Sequence, residues 1–274
     1  MTDAPLAYDV GVHNGDDTGY YLHLGYRVVA VEANPAWAQR VRERFGDEVA
    51  EGRLEVLNVA VAPEPGEVDF HVSEQNDAWA SLETDIPSRG GSYRTIRVPA
   101  RRFEDILAEH GVPEHLKVDI EGFDRLCLEG LGPDTRPRFV SVEMDHATGD
   151  RDIALLAGLG YDRFACIRQN DFAAIRPESV RRLVELRRRR GPLRTFLVRA
   201  VRRVRRMLLP PRDGDWRFGH GASGPTGLRL PAEAWMSADE ALEVWRVLHK
   251  ADGDLGAGGV GEWFDMHARL PEPG

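Results

Sequence analysis

Two cysteines in 274 residues, Cys127 and Cys166, are too few for a disulfide framework. Cys127 falls in a helical pattern and Cys166 in a strand pattern, so both are expected to be small buried hydrophobes in a reducing compartment. No apolar run approaches the ~20 residues that a membrane span needs. The N-terminus is short and acidic and enters a strand pattern almost at once, so no signal peptide is expected. A dinucleotide fingerprint is missing too, because that pattern needs three glycines as G-x-G-x-x-G. Internal repeats are absent. These absences exclude a secreted disulfide scaffold, an integral membrane protein and a standard NAD-binding domain, and point to the cytoplasm.

What is present is enough apolar material for one large core, or one core with an appendage: 42% of the residues are hydrophobic. The net charge is −9 and unevenly spread. Arg176 to Arg212 carries fourteen arginines and no lysine against Glu178 and Glu185, a segment charge of +12, which leaves −21 on the remainder.

Up to about residue 170 the chain alternates strand and helix patterns, which predicts an α/β fold with a parallel sheet covered on both faces. The strands are expected at Leu6–Val10, Arg27–Glu32, Leu54–Val61, Leu116–Asp119, Phe139–Glu143 and Arg163–Arg168. Helices are expected at Asp17–Leu24, Pro35–Phe45, Phe103–His110, Phe123–Leu131 and Arg151–Leu159. An extra strand pair is expected at Glu67–Val72 and Thr95–Pro99. After Asn170 the rhythm breaks. Val180–Arg190 and Leu193–Leu209 read as helices, the second with an apolar stripe opposite its arginines. Ser237–His249 reads as a helix opened by a capping box. Trp263–Leu270 reads as a last strand. The divisions are a core over 1–170, an arginine-rich helical insertion and cap over 171–260, and a final strand and tail over 261–274.

The most informative signals are the turn Asp9-Val-Gly-Val-His-Asn-Gly15 and the acid Glu32 at the tip of the next strand. A glycine turn lets backbone approach a ligand, and a strand-end acid can accept both hydroxyls of a ribose. Asp9, Asp16 and Asp17 crowd the turn and would repel a pyrophosphate. They suit a phosphate-free cationic ligand such as S-adenosylmethionine (SAM).

Three segments together resemble the FkbM family of SAM-dependent methyltransferases. They are Asp9–Thr18 with Val29–Pro35; Asn58–Val61 with Ser81-Leu82 and Val98–Ile106; and Lys117-Val-Asp-Ile-Glu-Gly122 with Ser141-Val-Glu143. Arg102-Phe-Glu104 departs from the family's usual Thr-Leu-Asp, and Val12-His13 from its usual alanine. The resemblance implies a class I methyltransferase (Rossmann-like) sheet of seven strands, the last antiparallel. It also implies a SAM site at Asp9, Gly11, His13, Asn14, Gly15, Thr18, Glu32, Asn34, Asn58, Ser81 and Asp119. The spacing places Trp263–Leu270 beside Arg163–Arg168 as that last strand.

Methyl transfer to a hydroxyl needs a base or a metal. Asp119, Glu121, His146 and Lys117 are the candidate catalytic residues. Asp119, Glu121, Glu143 and Asp145 form an alternative oxygen-rich Mg²⁺ site. Asp265 and His267 share one face of the last strand and make a second cation candidate. The aromatic and glycine-rich segments Trp216–Pro225 and Glu262–His267 suit a glycan or other small-molecule acceptor. The arginine arm has three readings: a clamp on the acidic body of its own chain or of a homodimer partner, a peripheral membrane contact through 176–212, or a nucleic-acid surface. The −21 on the remainder disfavours the last. The expected activity is therefore O-methylation of a sugar, glycolipid or related natural product. An RNA methyltransferase and a non-catalytic SAM-binding or membrane-recruited module are the alternatives.

Overall fold

The computed structural model describes residues 4–74, 80–82, 92–120, 122–145, 147–188, 211–219, 222–255 and 263–272. The chain divides into two compact units, Met1–Val142 and Glu143–Gly274. The break in the sequence pattern falls later, after Asn170, because the second unit opens with one more helix and strand of the same alternation.

In the first unit the elements run β1 (Leu6–Val10), α1 (Asp16–His23), β2 (Arg27–Val31), α2 (Pro35–Arg44), α3 (Gly46–Ala50), β3 (Leu54–Leu57), β4 (Ala60–Val61), β5 (Gly66–Ser73), β6 (Ala80–Ser81), β7 (Tyr93–Arg101), α4 (Phe103–His110), β8 (His115–Val118), α5 (Asp124–Glu129) and β9 (Phe139–Glu143). The central strands lie in the order β9-β8-β1-β2-β3, and each pairing is parallel. β1 is buried along its whole length and β8 likewise, as expected for parallel strands covered on both faces. The strand order reverses at β1, which has β2 on one side and β8 on the other. Such a switch point leaves a crevice at the carboxyl ends of the strands.

The apolar pattern predicts one strand over Leu54–Val61. It is two. β3 pairs with β2 in the central sheet, whereas β4 pairs with β7 in another sheet. The break at Asn58 follows from that change of partner. The expected extra pair is longer than predicted: β5 and β7 run antiparallel from Gly66↔Ala100 to Ser73↔Tyr93. With β4 and β6 they form a second sheet in the order β4-β7-β5-β6. Its core is Ala60, Phe70, Val72 and Val98.

The second unit holds α6 (Gly149–Gly158), β10 (Arg163–Arg168), β11 (Ala174–Ile175), α7 (Pro177–Arg188), the short pair β12 (Arg212–Asp213) and β13 (Trp216–Arg217), α8 (Ala238–Leu255) and β14 (Phe264–Arg269). β14 does return antiparallel beside β10, in register from Arg163↔Arg269 to Arg168↔Phe264. β11 adds an edge strand that the seven-strand expectation did not include. α8 opens with the expected capping box: Ser237 N donates to Glu240 Oε2 at 2.9 Å, and Glu240 N donates to Ser237 Oγ at 3.3 Å. The helix expected over Leu193–Leu209 lies outside the described residues. α7, within the described part of the arginine arm, buries Val180 and Val184 and pairs with α8 through Arg181–Glu243 and Arg188–Asp254. No helix among the described residues is long and apolar enough to cross a membrane.

Candidate cofactor and active site

The switch point brings together most of the residues singled out in the sequence. After β1 the chain turns sharply. Gly11 (φ 86°), His13 (φ 49°) and Gly15 (φ 79°) all adopt left-handed backbone. Gly11 has no tolerance for a side chain, because an added Cβ would lie 1.7 Å from the carbonyl oxygen of Asp119. Its N–H donates to Val31 O at 2.9 Å, which ties the turn to β2.

Glu32 follows β2 and is buried. Its Oε2 accepts from His13 N at 2.8 Å and its Oε1 from Asn34 N at 2.7 Å. Burial raises its pKa above the usual carboxylate value, against the two backbone donors that favour the ionised form. An ionised carboxylate offers about four acceptor positions. Backbone takes two of them, so the group can still accept from a vicinal diol. That donor-and-acceptor count fits the ribose of an adenosyl group. Asn58 supports the same corner from β3: its Nδ2 donates to Glu32 O at 2.8 Å and Ala33 O at 3.0 Å.

Several predicted ligands serve the frame. Thr18 is buried and donates its hydroxyl to Asp9 Oδ2 at 2.6 Å. The Asn34 side chain caps α2 by accepting from Ala36 N at 3.0 Å. Asn14 Oδ1 accepts from Asp16 N at 2.9 Å, and its carbonyl accepts from Arg44 at 2.7 Å. Ser81 is buried in β6, paired with His71. His13 offers its backbone to Glu32 while its ring packs against Trp37, centroids 4.3 Å apart.

A buried charge cluster underlies the turn. Lys117 Nζ donates to Gly11 O at 2.8 Å and meets Asp9 Oδ1 at 3.2 Å as an ion contact. Asp17 Oδ2 and Asp119 Oδ2 each lie 3.9 Å from the same nitrogen. The Asp9, Asp17 and Lys117 side chains are buried, whereas Asp119 keeps 28% of its side-chain exposure. Two residues before Asp119, Lys117 shares a face with it and is in contact with it. Its link to Gly11 had no signal in the sequence.

Asp124 was missed. It is half-buried at the start of α5, where its Oδ1 accepts from Ile120 N at 2.9 Å and its Oδ2 from Gly122 N at 3.3 Å. Burial and then Asp119 push its pKa up to about 6. An acid just after the glycine of a strand-to-helix turn is a helix-start signal that could have found it.

Glu121 and His146 lie outside the described residues. Glu143 ends β9 half-buried. Asp145 is exposed, and its Oδ1 accepts from Ala147 N at 2.5 Å and Thr148 N at 3.1 Å, so it shapes its own loop. No group of three or more His, Cys, Asp or Glu that could hold a metal occurs among the described residues. Asp265 and His267 are both buried on β14, and Asp265 Oδ1 accepts from Gln169 at 3.0 Å. In the aromatic segments, Phe218 is buried edge-on against Phe172, with centroids 4.8 Å apart, while Trp263 is 56% exposed.

A mostly parallel sheet, a glycine turn after its first strand, and a buried acid after its second define the Rossmann-like class I fold of SAM-dependent methyltransferases. The chain belongs to the FkbM methyltransferase family: the family's methyltransferase FkbM domain matches residues 9–179. It is thus a SAM-dependent methyltransferase. No curated protein matches the chain. Among solved structures, it is similar to a precorrin-6y C5,15-methyltransferase from Geobacter metallireducens GS-15, at 14% identity over 61% of this chain and 69% of that one, with a TM-score of 0.36. It is also similar to the [4+2]-cyclase SpnF, at 8% identity over 99% and 77% of the two chains, with a TM-score of 0.38. A third is a coclaurine N-methyltransferase bound to N-methylheliamine and SAH, at 9% identity over 98% and 67%, with a TM-score of 0.34.

Proposed function

We propose that the protein transfers the methyl group of SAM to a hydroxyl of a sugar, glycolipid or related natural product, with Asp119 as the general base. SAM supplies an electrophilic methyl carbon on a sulfonium. The protein must hold the acceptor oxygen in line with that carbon and take up its proton. The observation that carries this reading is the position of Asp119. It follows β8 at the switch point and keeps solvent exposure while Asp9 and Asp17 beside it are buried. The Asp119 carboxylate accepts the hydroxyl proton as the acceptor oxygen attacks. The crowd of acids favours a cationic methyl donor and disfavours a phosphate-bearing one. No step is routed through Mg²⁺; Glu121, one of the four candidate ligands for it, lies outside the described residues.

The test is a panel of free sugars, glycolipids, polyketide alcohols and RNA incubated with isotopically labelled SAM. Label should appear as an O-methyl ether on a hydroxylated small molecule. Asp119→Asn should lower kcat/KM on that acceptor by about 10²–10⁴-fold. Transfer to RNA alone, or an Asp119→Asn enzyme of normal rate, would overturn the proposal. Addition of EDTA should leave the rate unchanged, and loss of activity restored by Mg²⁺ would remove Asp119 as sole base.

A further inference from the structure

Lys117 occupies a place where an ammonium group is costly. Its side chain is 4% exposed, and a buried cation is tolerated only when paired and hydrogen-bonded. Burial works against its charge, but Asp9, Asp119 and Asp17 outweigh that effect and hold its pKa above the ordinary lysine value. An amine kept protonated in this way has no lone pair with which to take a proton from an acceptor. It donates a hydrogen bond to backbone at Gly11 O, at 2.8 Å.

That contact completes the restraint of Gly11. The residue has left-handed backbone and the wide conformational freedom of glycine. Its N–H is held from β2, through Val31 O, and its C=O from β8, through Lys117. Two residues on, His13 N reaches the Glu32 carboxylate. We propose that Lys117 is a positioning residue for SAM: its ammonium fixes the Gly11 carbonyl, sets the path of the turn toward Glu32, and so presents a preformed site. Preorganisation of this kind raises affinity by removing the ordering cost of binding. The charge balance adds to it, since three carboxylates against one ammonium leave the cluster net negative beside a cationic cofactor. This inference rests on SAM use and is independent of the acceptor class.

Calorimetric titration with SAM and with S-adenosylhomocysteine tests it on the wild type, Lys117→Met and Lys117→Gln, with a melting curve of each unliganded protein. Lys117→Met should bind both ligands at least about tenfold more weakly. Lys117→Gln keeps a donor for Gly11 O and should recover part of that loss. A folded Lys117→Met that binds both ligands within about threefold of wild type overturns the proposal, as a residue acting only in proton transfer would leave binding intact. Equal losses in the Met and Gln variants overturn the role of the Gly11 contact. If Lys117→Met does not fold, Lys117→Gln decides alone: a loss of about threefold or more supports the proposal, and affinity within about threefold of wild type overturns the part assigned to the ammonium. Wild-type protein that binds neither ligand would overturn the cofactor assignment itself, and this inference with it.

Discussion

The Cβ position of Gly11 lies 1.7 Å from the carbonyl oxygen of Asp119, so the turns after β1 and β8 touch backbone to backbone. A side chain at Gly11 would have to part the two strand ends that the proposed chemistry needs together. Gly11→Ala adds that overlap to the strain of an L-residue at φ 86°. We expect a loss of about 2–4 kcal/mol in urea unfolding and no thermal shift on adding S-adenosylhomocysteine. An alanine variant with an unchanged midpoint would contradict the contact.

Glu32→Gln keeps the size of the side chain and removes its charge. One amide end can no longer accept from backbone, and the ribose faces a donor where it needs an acceptor. Charged hydrogen bonds contribute about 1.5–3 kcal/mol, so SAM and S-adenosylhomocysteine should both bind on the order of 10–100-fold more weakly. Titration calorimetry reads this directly. Unchanged affinity would remove Glu32 from the site.

His267 gives the second unit a pH dependence. Burial lowers its pKa from 6.5 to about 4, so the folded protein holds the ring neutral where the unfolded chain would protonate it. Both ring nitrogens lack a hydrogen-bond partner among the described residues. The unfolded state therefore binds more protons between these two values, and stability falls as pH drops from 6.5 toward 4. At pH 5 the loss from this residue should be about 2 kcal/mol relative to pH 7.5. His267→Gln should flatten that part of the stability–pH curve, measured by denaturant melts at pH 7.5 and 5. An identical slope in wild type and variant would show that the imidazole does not titrate as described.

Asn58→Ala removes two hydrogen bonds to the carbonyls of Glu32 and Ala33. Leaving those acceptors unpaired should cost about 1–3 kcal/mol of stability. Cofactor affinity should fall with it, because the same carbonyls set the angle of the Glu32 carboxylate. Wild-type stability together with weakened SAM binding would instead assign Asn58 to direct contact with the ligand.

The elements that stay in one sheet or one helix along their whole length were the legible ones. β1, α4, β9 and β10 have the limits that their apolar patterns predicted. Leu54–Val61 was misread because its pattern continues across Asn58 while its sheet partner changes, and a local period cannot see partners. The place of Glu32 just past β2 was legible because a strand-end acid announces itself in the sequence. Asp145 is a metal candidate by composition, and the two loop amides that its Oδ1 accepts from had no signal in the sequence. Lys117 shares a face with Asp119 by period two, which the local sequence does carry. Its hydrogen bond reaches across 106 residues of sequence to Gly11, a distance over which spacing carries no information.

The stretch Leu54–Val61 supplies one strand to the central sheet and the next to the smaller one, with the Asn58 side chain bracing Glu32 between them. The smaller sheet is therefore not a detachable module. A chimera that exchanged β5–β7 for those of another methyltransferase would inherit a new junction at β4, and through it a new setting of the acid assigned to the ribose. On the proposed ribose role of Glu32, donor affinity should change with the identity of that sheet, and residues 54–61 are the seam that both sheets share.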